Sequence, residues 1–197
     1  MSDPRPQSPL AHRAKLDGDG VSLQERPFTG LAILRGDGVA ITAATGLWLP
    51  REVRRTTVTD DVAALWLAPD EWLLVTPEEI GRLAAQLETA LAGQHHQLVD
   101  VSDYYTTIEL AGGAAREVLA KLVTIDLHPR HFRPGEAVAT TLAKANVWCW
   151  LTADEVFRLF VRRSHADYVW CLLADAARAW GVPAQAPVGR VRLHLEA

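Results

Sequence analysis

The sequence predicts an α+β fold of antiparallel sheets with packed helices, on three observations. A strand-turn-strand-helix pattern occurs twice, 82 residues apart when Trp66 is aligned with Trp148. Runs of strands are punctuated by amphipathic helices, without the strict alternation that a doubly wound parallel sheet requires. Hydrophobic residues make up 49% and charged residues 22% of 197 positions, a globular balance in a chain long enough for one substantial core.

Residues 1–13 carry three prolines and no periodicity, which predicts an N-terminal arm rather than a core element. A single domain of two pseudo-repeated halves is then expected over 14–197. Gly-Asp-Gly-Val stands at 18–21 and again at 36–39. Asp-Gly suits the positive φ values of a tight hairpin turn, and Leu31–Leu34 with Val39–Ile41 flank the second copy, so a hairpin is expected there. The ligand spacing of an EF-hand does not follow either copy.

Leu65 to Ala68 and Trp72 to Val75 read as strands around the Pro69-Asp70 turn. Thr76-Pro77-Glu78-Glu79 has the form of a capping box with Pro at the first helical position. Ile80, Leu83, Ala84, Leu87 and Leu91 then form a helical stripe that Gly93 ends. Leu98–Val101 and Thr106–Leu110 read as strands, and Ala114–Leu122 as a helix. Val147–Leu151 and Val156–Val161 form the second hairpin. Ser164 with Asp167 is expected to open a helix carrying Tyr168, Leu172, Ala176 and Trp180 up to Gly181. Val191, Leu193 and Leu195 alternate as a closing strand.

Net charge is −4 and the pI is near 6.0, so there is no broad basic footprint for nucleic acid. Cys149 and Cys171 lie in apolar segments without CxxC spacing, as reduced, buried cytosolic thiols do. The N-terminal stretch has no apolar run, and no segment approaches the roughly 18 apolar residues of a spanning helix. A cytoplasmic protein with no membrane contact is expected. Most of the seven tryptophans belong in the core, and the rest are expected on an apolar patch that a partner covers.

Chemistry is sparse. Gly112-Gly113 precedes a helix, but neither GxGxxG nor GxxxxGK[ST] is present, so the pair reads as a tight turn. Asp126, His128 and His131 lie close together, but Pro129 and Pro134 break the helix that an i, i+3 chelate would need, and Arg130 and Arg133 repel a cation. No serine sits in GxSxG, and the carboxylate pairs at 60–61, 70–71 and 154–155 occupy turns. No catalytic, cofactor-binding or metal-binding residue is assigned. The loop His128–Gly135 is instead expected to dock on a partner: prolines stiffen it, Arg130 and Arg133 offer forked donors, and Phe132 supplies an apolar anchor between them. His128, and Arg162 with Arg163 before Ser164, join this docking set, as does the Pro-rich arm.

Seven short segments, in order, resemble the gamma subunit of heterotetrameric sarcosine oxidase. They are Ser8-Pro9-Leu10-Ala11-His12, Leu65 to Leu74, Val99-Asp100-Val101-Ser102-Asp103, Asp126-Leu127-His128-Pro129-Arg130 with Phe132 to Gly135, Thr140-Thr141-Leu142, and Val161-Arg162-Arg163-Ser164. The resemblance implies a bacterial complex with alpha, beta and delta subunits that demethylates sarcosine to glycine. Oxidation at FAD, electron transfer to covalent FMN, formation of hydrogen peroxide and passage of a one-carbon unit to tetrahydrofolate would all occur elsewhere in that complex. FAD, FMN, NAD and tetrahydrofolate are expected in the other subunits, and zinc in the smallest. The resemblance also implies a reduced copy of the folate-binding domain of aminomethyltransferases. Where those enzymes carry an acidic residue in a Gly-rich strand, Ala143 to Trp150 has neither glycine nor carboxylate, so the fold is expected without its catalysis. Two other readings stay open: a stand-alone binding protein for folate or another small molecule, with Tyr104, Tyr105 and scattered arginines facing the ligand, and the same subunit in a complex acting on another N-methyl amino acid.

Overall fold

A computed structural model describes residues 6–59 and 61–188. The strand expected at Val191 to Leu195 lies outside the described residues. The strands are β1 (Leu16–Gly18), β2 (Val21–Arg26), β3 (Gly30–Gly36), β4 (Thr56–Val58), β5 (Ala63–Ala68), β6 (Glu71–Thr76), β7 (His96–Asp100), β8 (Tyr105–Ala111), β9 (Glu136–Leu142), β10 (Ala145–Ala153) and β11 (Val156–Arg162). The helices are α1 (Gly38–Thr45), α2 (Gly81–Ala90), α3 (Ala115–Ala120) and α4 (Ala166–Ala176). One sheet has the order β1-β2-β8-β11-β10-β9 and the other β4-β5-β6-β3-β7. Every strand pairing within them is antiparallel, which is the predicted α+β class.

The two sheets face each other and a helical layer covers each outer face, because successive side chains of a strand point to opposite sides. In β10, Val147, Cys149 and Leu151 join the core under α3 and α4, while Trp150 faces the second sheet. In β6, Trp72 and Leu74 lie under α1 and α2, and Leu73 and Val75 meet Trp150 and Phe160 between the sheets. These strands are buried on both faces. The runs around Trp72 and Cys149 are therefore almost continuously apolar.

Several local expectations give way to tertiary structure. The hairpin forms at the first Gly-Asp-Gly-Val, where Gly18 pairs with Val21. At the second copy, Asp37 caps α1 instead, accepting from the N–H groups of Val39 and Ala40 at 2.8 and 3.2 Å. Gly38 there sits so close to the Trp72 indole that a Cβ would come within 2.8 Å of it. The capping box at Thr76 does not form: the Thr76 hydroxyl donates to the Glu78 carbonyl at 2.6 Å, and α2 starts five residues later. Likewise Ser164 lies in a 3-10 turn without capping α4.

The apolar face of α4 is also rotated from the expected stripe. Val169, Trp170, Leu173 and Ala174 are buried, while Tyr168 is 38% exposed. The predicted arm is not free over its described residues. Leu10 is 1% exposed in the core under α3 and α4, Arg163 donates to the Gln7 carbonyl at 2.8 Å, and Arg13 bonds Asp167.

Candidate functional site

The His128–Gly135 loop is an ordered turn on the rim of the six-stranded sheet. Asp126 accepts from the N–H of His128 at 2.8 Å, and the His128 carbonyl accepts from His131 and Phe132 at 2.8 and 2.9 Å. Arg116, projecting from α3, donates to the carbonyls of Leu127 and Phe132 and pairs with Glu155 at 3.2 Å. Arg54 donates to the carbonyl of His131. These contacts leave His128, Arg130, His131 and Arg133 exposed.

Phe132 corrects the sequence expectation. It is 1% exposed, stacked on Phe157 inside the core, because the turn at His128–His131 folds its side chain inward. It anchors the loop to its own domain and offers nothing to a partner. The six residues expected to dock are not brought together either. The loop meets the Leu151 end of the β10–β11 hairpin through Gly135, whereas Arg162 ends β11 on the far side and Arg163 follows it. Arg162 lies over Tyr104 at 5.2 Å, and Arg163 is engaged with the chain at Gln7. Among the described residues no group of three His, Cys, Asp or Glu side chains is placed to hold a metal ion.

A cleft of about 520 Å³ opens between the sheets, lined by Arg26, Thr29, Thr76, Trp150 and Arg158 among others. Beside it lies Glu109, which sequence reasoning missed. Its side chain is 6% exposed; Arg26 and Gln24 donate to one carboxylate oxygen at 2.9 and 2.7 Å, and Arg158 approaches the other at 3.4 Å. Burial alone would push this carboxyl up. The hydrogen bonds from Arg26 and Gln24 and the charges of Arg26 and Arg158 outweigh burial and hold it below its ordinary value. A single carboxylate between Ile108 and Leu110 in an otherwise uncharged strand was the available signal. Its register partners, Gln24 and Arg158, become neighbours only through the sheet.

This arrangement stabilises an ion pair and does not poise a base, since both carboxylate oxygens are occupied and the group stays ionised. Arg158 also lies 5.6 Å from the Trp150 ring. Cys149 is fully buried and its thiol is pushed up to about 12 by desolvation, so it remains protonated and unreactive near neutrality.

The sequence profile described as "Sarcosine oxidase, gamma subunit family" matches residues 34–179. Sarcosine oxidase subunit gamma of Arthrobacter sp. is 35% identical over 188 residues, covering 90% of this chain and 92% of that protein. A chain of the heterotetrameric sarcosine oxidase of Corynebacterium sp. U-96, solved in complex with pyrrole 2-carboxylate, superposes with a TM-score of 0.82 at 34% identity, over 92% of this chain and 99% of that one. Aminomethyltransferase T of the glycine cleavage system from Bartonella henselae shares the fold, with a TM-score of 0.64 at 14% identity, over 82% of this chain and 47% of that protein. The profile and the Arthrobacter relative each span most of this sequence, and the chain belongs to the sarcosine oxidase gamma subunit family.

Proposed function

We propose that this chain is a structural, assembly subunit of a heterotetrameric sarcosine oxidase and contributes no catalytic residue. The observation that carries the reading is the superposition over 99% of one chain of a heterotetrameric enzyme, with a TM-score of 0.82. Its partners are the alpha, beta and delta subunits. These hold FAD, FMN, NAD, zinc and tetrahydrofolate and oxidise sarcosine to glycine, with hydrogen peroxide and a one-carbon unit as the other products.

The chain's own residues support a non-catalytic role. Glu109 is consumed by Arg26, Gln24 and Arg158, and β10 brings Trp150 rather than a carboxylate to the cleft. The carboxylate on the cleft lining is Asp61, exposed in the loop before β5 rather than carried by β10, so no folate step is assigned to β10. Docking falls to exposed side chains, with His128, Arg130 and Arg133 on the rim loop. Arg163 serves the chain's own packing through Gln7, whereas Arg162 is exposed beside Tyr104 at the opposite end of β11 from the rim loop.

The test is expression of the other three subunits with and without this chain. The complete complex is expected to make peroxide from sarcosine. The isolated chain is expected to show no flavin absorbance and no activity. Flavin bound stoichiometrically to the isolated chain, or peroxide formed by it from sarcosine, would overturn the reading. Tight binding of a folate by the isolated chain would favour a stand-alone binding protein, and a panel of N-methyl amino acids on the complete complex decides the substrate.

A further inference from the structure

We propose that the exposed face around Trp48, flanked by Arg51, Arg130 and Arg133, docks this chain onto another subunit of its assembly, against an apolar socket rimmed by carboxylates. The inference rests on the assembly role argued above and names the surface that role requires.

Trp48 is 70% exposed in the segment between α1 and β4, with Val53 and Val58 each 65% exposed nearby in sequence. The backbone that carries it is nevertheless held on both sides. Leu49 is 3% exposed in the core under α1 and α2. The Pro50 carbonyl accepts from the Trp72 indole at 2.8 Å, and the Trp48 carbonyl accepts from the Thr57 hydroxyl. A large aromatic presented on a fixed backbone loses little conformational freedom when a partner covers it. Tryptophan is also among the residue types most enriched at interface hot spots. Beside it lies an open depression of about 470 Å³ lined by Trp48, Pro50, Arg55 and Thr57 among others.

This face is continuous with the basic rim loop. Thr56 donates to the Gly135 carbonyl through its N–H at 3.1 Å and its hydroxyl at 2.7 Å. Arg54 bonds Glu136 at 2.9 Å, and its carbonyl accepts from the N–H of Ala137 at 2.8 Å. Residues 48–57 and 126–136 thus form one surface, carrying five arginines against three carboxylates on a chain of net charge −4. Arg54 and Arg55 are spent on Glu136 and Glu52. Arg51, Arg130 and Arg133 are exposed and, among the described residues, have no carboxylate within ion-pair distance. Their charge calls for an acidic partner surface. It also disfavours a second copy of this chain, because a two-fold contact through the same patch would set arginine against arginine.

The experiment is competitive incorporation. A tagged variant and the untagged wild-type chain are co-expressed with the other three subunits, and their ratio in the purified complex is read by intact mass. Trp48→Ala is expected to enter about thirtyfold less often than wild type, as hot-spot truncations do. The double variant Arg51→Glu with Arg130→Glu is expected to enter about tenfold less often, while Tyr168→Ala, on α4, enters equally. Thermal melting of each isolated variant close to wild type confirms that the fold is intact. Should Trp48→Ala melt early, the double charge variant decides alone. Equal incorporation of Trp48→Ala and wild type would overturn this surface and leave the assembly role standing. Loss of self-association in isolated Trp48→Ala with unchanged incorporation would give the face to a second copy, also overturning the proposal. Failure of the wild-type chain itself to enter the complex would overturn both readings.

Discussion

Phe132 lies parallel to Phe157, with ring centroids 6.4 Å apart and an interplanar angle of 4°. Each ring carries an arginine on it, Arg54 at 5.2 Å from Phe132 and Arg116 at 5.3 Å from Phe157. The pair links the rim loop to the hairpin beneath it, and both guanidinium groups also bond loop carbonyls. Phe132→Ala is therefore expected to destabilise the isolated chain by about 3–5 kcal/mol. Arg130→Ala and Arg133→Ala, on exposed side chains, should stay within about 0.5 kcal/mol of wild type. Urea unfolding of the three single variants measures the difference. A docking test that combined all three would confuse unfolding with loss of contact.

Arg13 and Asp167 join sequence positions 154 residues apart through bonds of 2.8 and 2.6 Å. Arg13 is nearly buried and also donates to the Ala186 carbonyl at 2.7 Å. Asp167→Asn should cost about 2–3 kcal/mol, because it leaves an uncompensated guanidinium in a largely desolvated place. The segment at residues 6–13 should also become a site of limited proteolysis, with cleavage read by mass spectrometry.

Acid should destabilise the fold through two carboxylates. Glu109 lies below its ordinary value of 4.5 for the reasons given above. In Asp167 the raising effect of burial is outweighed by the Val188 N–H, Arg13 and His12, so it lies below its ordinary value of 3.8. The unfolded chain takes up these protons at higher pH than the folded one. The stabilisation is thus complete above the ordinary values and is lost as pH falls through them towards the lower folded values. The melting temperature is expected to drop across that range. In Glu109→Gln it should be lower at neutral pH and less dependent on acid.

Gly30 opens β3 directly under the connection to α2. A Cβ there would meet the Glu78 carbonyl at 2.1 Å, the Thr76 hydroxyl at 2.2 Å and the Ile80 nitrogen at 2.7 Å. Two of these are backbone atoms, which cannot swing aside. Gly30→Ala should cost about 3 kcal/mol, whereas Gly81→Ala, with open space around it, should be neutral or stabilising. Chemical denaturation of the two variants compares them.

Cys149 is expected to resist alkylation in the native chain at pH 8 and to react fully in urea, since its thiol is protonated and sealed from solvent. Rapid native labelling at that position, read by peptide mass mapping, would contradict the burial described here.

Where a local pattern sufficed, the sequence was legible. The Pro69-Asp70 and Asp154-Glu155 turns, the strands around them and the helices that follow were all visible from apolar runs and turn residues. The helix starts at Thr76 and Ser164 were not, although both had sound capping chemistry. Their side chains were drawn elsewhere or left unused once the strand before each helix had paired.

By itself, the sequence determined the class of the fold, its two similar hairpin-helix units and, through its seven ordered segments, its family. These depend on alternation, turn chemistry and wording along the chain, which neighbours in sequence carry. Tertiary structure alone decided which of two identical Gly-Asp-Gly-Val turns became a hairpin and which capped a helix. It also buried Phe132, exposed Trp48 and surrounded Glu109 with Arg26, Gln24 and Arg158. The physical reason is that burial and pairing are set by which strands become neighbours. That choice depends on pairings such as β2 with β8 and β11 with β8, made 45 to 89 residues apart, which no local window contains.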